Sequence, residues 1–483
     1  MSFGSGIAML GAVIVAALAL AQGGFYPTPV IVAGAVSLAG VAAAIFVNRA
    51  AARAQGGSLR RWALSGAFIA IALLNAASAV AHGWPSEATG VVLCWVALAA
   101  FALFCGSVPL PEKATALEGL CWFVAVTAVF GLLAVAGLLP AGGTMAAGRL
   151  CLLFEYSNAT GIWFGLGVLL MSAADNSRIR ALAPLGLVAL FATQSVGAVA
   201  VTGLALTVAA VVFMRMGRFA EAESLALSWI AALVSFALQL VFPAAGLVGA
   251  LATTVGLWVW GEKLQDGHQV GDRAKQRRKG AASKERKATE KQQDAKARRD
   301  AQERQGVSTQ EGARRPRALV CIVVAAIVTV GAAAAVLLLE PARWVEAQGT
   351  FAERFVMMQD GLALLAASPL LGVGPEQWAQ LYPGIQTVEY TAAVNHCSYL
   401  QLALDGGVFV PILYVGAMGA AVVNCARRGH WPWALAVATL LVHSVFDFDL
   451  HFFALQFLAV LLVSEASECE ALRSGQSRQS VRL

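Results

Sequence analysis

Apolar runs of about twenty residues, separated by short polar breaks, recur along almost the whole chain. A helix rises 1.5 Å per residue, so each run is long enough to cross the roughly 30 Å of hydrocarbon in a bilayer. The runs fall near 5–22, 26–48, 62–82, 89–107, 116–138, 157–174, 181–195, 196–214, 223–241, 244–260, 318–339, 407–425, 431–446 and 450–464. Two stretches interrupt them, a charged one at 261–317 and a mixed one at 340–407. The pattern predicts an all-α fold, a polytopic integral membrane helical bundle of about 12–14 transmembrane helices with a large extracytoplasmic loop. It divides the chain into N-terminal transmembrane helices (1–260), a basic linker (261–317), a C-terminal core containing the loop (318–465), and a tail (466–483).

Composition agrees with a lipid environment. Of 483 residues, 59% are hydrophobic and 13% charged, with a mean hydropathy of +0.71, so the chain cannot furnish the polar shell of a soluble protein this large. The first run, 7–21, has no basic start and is followed at once by a second, so it is expected to be the first transmembrane helix and not a cleaved leader. The eight cysteines form no CxxC pair and have no metal-ligand spacing.

Charge sets the orientation. Lys and Arg collect on the cytoplasmic side of membrane proteins. With both termini cytoplasmic, 31 of the 34 basic residues fall on cytoplasmic loops, leaving Arg149, Arg343 and Arg354 outside. A miscounted span between two basic loops would destroy this segregation, so the stretch 340–407 is expected on the outer face. The segment 261–317 has 17 basic and 9 acidic residues with almost no large apolar ones, which suits a disordered or solvated helical linker near anionic lipid heads. It has no interleaved aromatics for base stacking, and nucleic acid is not an expected partner.

The outer stretch holds the candidate chemistry. Phe351, Phe355, Met358, Leu362 and Leu365 share one helical face, with Glu353, Arg354 and Asp360 off it, as in a helix lying on a membrane surface. SPLLGVGPEQW (368–378) reads as a glycine-rich turn and a helix restart. Asn395 is a plausible N-cap for a helix that, if unbroken from His396 to Arg427, would be about 46 Å long, with Gly406, Gly407 and Pro411 as places where it can bend. His396 would then stand at headgroup level, beside free N–H groups that favour a phosphate. An Arg on this face suits the same ligand, because its planar fork can clamp phosphate oxygens.

These residues resemble the O-antigen ligase and O-antigen polymerase superfamily of bacterial envelope glycosyltransferases. The resemblance rests on Arg354 followed by ASPLLGVGPEQW, on HCSYLQLALDGG (396–407) and on HSVFDFDLHFFA (443–454), with GRLCLLFEYSNATG (148–161) and TQSVGAVAV (193–201) as looser matches upstream. Cys397 stands where the family usually has Asn, and Val196 where it has Arg. The resemblance implies transfer of a glycan from an undecaprenyl-diphosphate carrier to a hydroxyl acceptor on a sugar, lipid or protein. It places that reaction at the outer face of the bacterial cytoplasmic membrane and requires no cofactor or metal. It further implies that His396 takes the acceptor proton while Arg354, helped by Arg149, holds the diphosphate.

Tyr156 and Asn158, with Glu155, are candidates to line the substrate cavity or to cap a helix. Asp447, Asp449 and His451 read as polar contacts near its outer mouth; a lone DxD is a weak metal signal. Two other classes compete with the enzyme: a secondary transporter, which should show broken helices in two corresponding halves, and a non-catalytic scaffold.

Overall fold

The computed structural model describes residues 3–47, 60–108, 110–140, 142–262, 320, 323 and 341–464. The basic linker, the tail and nearly all of the expected span 318–339 lie outside the described residues.

Within them the protein is all-α apart from one two-residue hairpin. Eight helices are long and apolar enough to cross a membrane, making this a multi-pass membrane protein: Pro27–Ala44, Trp62–Ala81, Ala88–Gly106, Lys113–Val135, Val196–Arg215, Phe219–Gln239, Pro243–Glu262 and Phe409–Arg427. They present leucine, valine and phenylalanine outward, including Leu73, Val126, Phe130 and Val255, as lipid-facing surfaces do.

Several of the fourteen expected spans form shorter apolar helices, two of them far too short to cross on their own. Ala183–Ala192 and Phe453–Val463 have 10 and 11 residues, or roughly 15 Å each. Trp431–His443 has 13 and Ser157–Ala173 has 17. Every residue of Ala183–Ala192, and all but Phe453 of Phe453–Val463, is buried. A helix that is apolar all round belongs in the middle of a bundle. Here hydrophobicity marks interior position, not span length.

A buried lysine fixes the end of one of these inner helices. Lys113 Nζ donates to the carbonyl of Leu462, in the last turn of Phe453–Val463, at 3.4 Å and to that of Ser464, just after it, at 2.8 Å, and lies 5.6 Å from the Trp433 ring centre. Those end carbonyls have no partner within the helix. Lys113→Leu should leave them bare and lower stability by about 1–3 kcal/mol, read as a drop in thermal unfolding temperature in detergent. An unchanged temperature would mean that water reaches this helix end.

The stretch 341–407 is a folded cap. Helix Pro341–Ala367 packs against helix Ser398–Gly406. Between them the chain folds over its own apolar cluster of Met357, Leu365, Trp378, Tyr390, Cys397, Leu400 and Leu404. Asp360 ties the crossing down, accepting hydrogen bonds from Tyr390 Oη at 2.8 Å and Thr387 N at 3.2 Å. Of the expected stripe, Leu365 joins this cluster and Met358 packs against it, whereas Phe351, Phe355 and Leu362 remain exposed. The expected apolar stripe is therefore split, its outer half free to meet lipid or another surface.

A single continuous helix from His396 to Arg427 is not formed; the chain breaks at the glycines that the sequence offers for a bend. It divides into Ser398–Gly406 and Phe409–Arg427 at Gly407, whose φ is +88° and where a Cβ would collide with the Leu370 carbonyl. Only glycine tolerates both the backbone conformation and the close approach.

Candidate active site

Four separate segments deliver the expected residues to one point. Arg354 comes from the cap helix Pro341–Ala367. His396 precedes helix Ser398–Gly406, while Tyr156 is the residue before helix Ser157–Ala173 and Asn158 lies in its first turn. Asp447 sits in the turn between the inner helices Trp431–His443 and Phe453–Val463.

Asp447 is the hub. Its carboxylate is fully buried and accepts from Arg354 Nη1 at 3.1 Å, from Asn158 Nδ2 at 2.6 Å, from Tyr156 Oη at 2.9 Å and from the Phe448 amide at 2.9 Å. His396 Nδ1 lies 3.8 Å from Asp447 Oδ1, within ion-pair range but too far for a hydrogen bond. Arg354 also donates to the Phe446 carbonyl at 2.7 Å and to Tyr156 Oη at 3.2 Å. Burial pushes the Asp447 carboxyl up, but the Arg354 guanidinium, with His396 and His443 behind it, overrides this and holds it well below the usual carboxylate range. Burial and the Asp447 charge push the Tyr156 phenol up, so it remains a hydrogen-bond donor.

Arg149 stands one step away. It emerges from the hairpin Met145–Ala146/Arg149–Leu150, donating to Asn158 Oδ1 at 3.0 Å and to the Thr193 carbonyl at 3.1 Å. It braces Asn158 against Asp447.

Two buried residues fix this geometry: Ser398, which the sequence pattern did not single out, and Asn395, which it read only as an N-cap. The Ser398 hydroxyl donates to the Asp447 carbonyl at 2.7 Å and accepts from the Leu450 amide at 3.2 Å, pinning the helix after His396 to the Asp447 turn. Asn395 does not cap through the first helical turn. Its Nδ2 donates to the Met357 carbonyl at 3.0 Å and its Oδ1 accepts from the Cys397 amide at 3.0 Å, joining the His396 segment to the Arg354 helix. A polar residue beside a motif is the available signal for both, and it is a faint one.

Asp447 and Asp449 do not act as a pair. Asp449 turns to His443 Nδ1 at 2.6 Å and to Ser444, and His451 lies 3.7 Å from Glu376. Among the described residues no cluster of three His, Cys, Asp or Glu is placed to hold a metal ion. Cys151 and Cys397 are both buried free thiols.

Beside the hub opens a cavity of about 300 Å³, lined by Tyr156, His396, Phe448 and Phe452 and, across it, by Gln22 and Phe25. Two buried polar atoms at the hub, Arg354 Nε and His396 Nδ1, have no hydrogen-bond partner. Unpaired buried groups of this kind are rare in folded proteins and call for an explanation. Comparison of the chain with protein-family models, with curated proteins and with solved structures returns no match.

Proposed function

We propose that this protein is a membrane glycosyltransferase of O-antigen ligase or polymerase type. It moves a glycan from an undecaprenyl-diphosphate carrier to a hydroxyl acceptor in cell-surface polysaccharide synthesis. The observation that carries this reading is the convergence of Arg354, His396 and Asp447 on one buried hub beside a ligand-sized cavity. The distribution of Lys and Arg supports an orientation in the bacterial cytoplasmic membrane with both termini inside and the cap outside.

In the reaction the acceptor oxygen attacks the anomeric carbon. A new C–O bond forms, the bond from that carbon to the phosphate oxygen breaks, and undecaprenyl diphosphate leaves with the bonding pair. His396 takes the hydroxyl proton. Its Nδ1 faces Asp447, which leaves Nε2 as the nitrogen for the acceptor and gives the resulting imidazolium a carboxylate neighbour. Arg354 meets the diphosphate. Both its Nη atoms are engaged by Asp447, Tyr156 and Phe446, so the guanidinium must share or exchange these partners when phosphate binds. That exchange frees the Asp447 charge to stabilise protonated His396, coupling donor binding to base strength.

The test is transfer by purified protein in liposomes, using undecaprenyl-diphosphate oligosaccharide labelled on the sugar. Label should move to a longer chain or to a separate acceptor, and product size distinguishes polymerase from ligase. No transfer across a panel of donors and acceptors would turn the reading toward a transporter or scaffold.

A further inference from the structure

The cavity has a second polar feature, on the rim away from the Asp447 hub. The turn Gln22–Gly24 and the turn Leu152–Phe154, 130 residues apart in sequence, pack against each other there. Gln22 Nε2 donates to Glu155 Oε1 at 2.9 Å across the contact. Both residues adopt left-handed backbone conformations, with φ of +52° each, which non-glycine residues rarely accept. Gly23 is at φ +69°, and a Cβ there would collide with the Phe154 ring. Strain of this kind persists where surrounding packing imposes it, and it clusters at ligand sites. Here the packing holds an amide and a carboxylate side by side at the cavity mouth, with Glu155 exposed.

The adjoining wall is aromatic. The rings of Tyr156, Phe448 and Phe452 are nearly parallel, with interplanar angles of 26° between Tyr156 and Phe448 and 10° between Tyr156 and Phe452. Among the described residues no Lys or Arg lines the cavity, so the Glu155 rim repels phosphate and leaves anion binding to the Arg354 side. A suitable ligand is uncharged, has hydroxyls for the rim, and has a flat C–H face for the negative faces of the rings. The 300 Å³ volume falls at the small end of ligand pockets.

We propose that Gln22 and Glu155, with the Tyr156, Phe448 and Phe452 wall, form a pyranose-binding subsite that reads sugar hydroxyls beside the reacting centre. It deepens the glycosyltransferase reading and rests on it for its place in the reaction. The bound ring comes either from the lipid-linked donor or from the acceptor glycan, since both present the same chemistry.

The experiment has two arms on the full-length protein in detergent. In the first, KM is measured separately for labelled lipid-linked donor and for acceptor. Glu155→Gln should raise one of the two KM values by about 10- to 100-fold, the size expected for losing a hydrogen bond to a charged group, with kcat little changed. The substrate affected identifies the source of the ring. The swap Gln22→Glu with Glu155→Gln keeps the rim bridge and exchanges its ends. KM should stay raised if Glu155 reads a hydroxyl, whereas a return to the wild-type KM would reduce the pair to a structural clip and overturn the proposal. In the second arm, saturation-transfer NMR with free maltotriose and N,N′,N″-triacetylchitotriose should show ring protons in contact with wild-type protein and with His396→Ala, and the signal should be lost in Glu155→Gln. Sugar contact without any transfer sinks the transferase reading and keeps the subsite. Transfer with wild-type KM values in Glu155→Gln, and no Glu155-dependent signal, sinks the subsite and keeps the transferase.

Discussion

His396→Ala should lower glycan transfer by about 10²- to 10⁴-fold, the usual contribution of a positioned general base. The fold should survive this change. His396 Nδ1 makes no hydrogen bond in the resting site, so truncation removes none, and the ring lies edge-on to Phe448 at 4.9 Å in a partly open position. The expected cost is a modest loss of packing, visible as a small drop in unfolding temperature at most. Single-turnover transfer and thermal unfolding should therefore be measured on the same preparation. A large fall in rate with a near-native unfolding temperature is the expected pair of results. A wild-type rate would remove His396 from the chemistry. A rate that falls only in step with unfolding would make it a packing residue.

The sequence made the helices legible as elements but not as spans. Apolar runs locate Ala183–Ala192 and Phe453–Val463 correctly, yet both are half-length helices enclosed by neighbours. Enclosure in protein and enclosure in lipid select the same side chains, so hydropathy cannot separate them. The cap was harder to foresee as a folded unit, because its cluster pairs Met357 with Trp378 and Leu404, partners that only the tertiary fold brings together. The site residues were visible one at a time: Arg354 as a cation on a face poor in them, His396 beside a helix start, Asn158 and Tyr156 near Arg149. What the sequence could not convey was rank. Asp447 and Asp449 look equivalent in FDFD, and only the fold gives the first to Arg354 and the second to His443. Gln22 was invisible, since a Gln-Gly-Gly at the end of an apolar run is an ordinary turn until Glu155 is seen opposite it.

The rank of Asp447 leads to the largest expected effect on stability. Both of its oxygens receive donors: Oδ1 from Tyr156 Oη and the Phe448 amide, Oδ2 from Arg354 Nη1 and Asn158 Nδ2. In Asp447→Asn one of these oxygens becomes an NH2 group, and in either rotamer it faces a donor. The substitution therefore leaves a buried guanidinium without its counter-charge and sets donor against donor. Removing one partner of a buried ion pair costs about 3–5 kcal/mol, and this variant should lose that much. Transfer should fall as well, since His396 loses the carboxylate that lies 3.8 Å from its Nδ1.

The pH dependence identifies the interaction responsible. The Asp447 carboxyl is held below its ordinary range in the folded state, so its contribution is present above the unfolded value of about 4 and is lost only as pH falls toward the folded one. The stability gap between wild type and Asp447→Asn should accordingly be constant from pH 9 to about 5 and narrow only below about 4, in denaturant unfolding followed in detergent. A gap that instead changes between pH 9 and 5 would mean that a group other than Arg354 is the principal partner of Asp447, and Arg354 would then take the diphosphate without exchanging this partner.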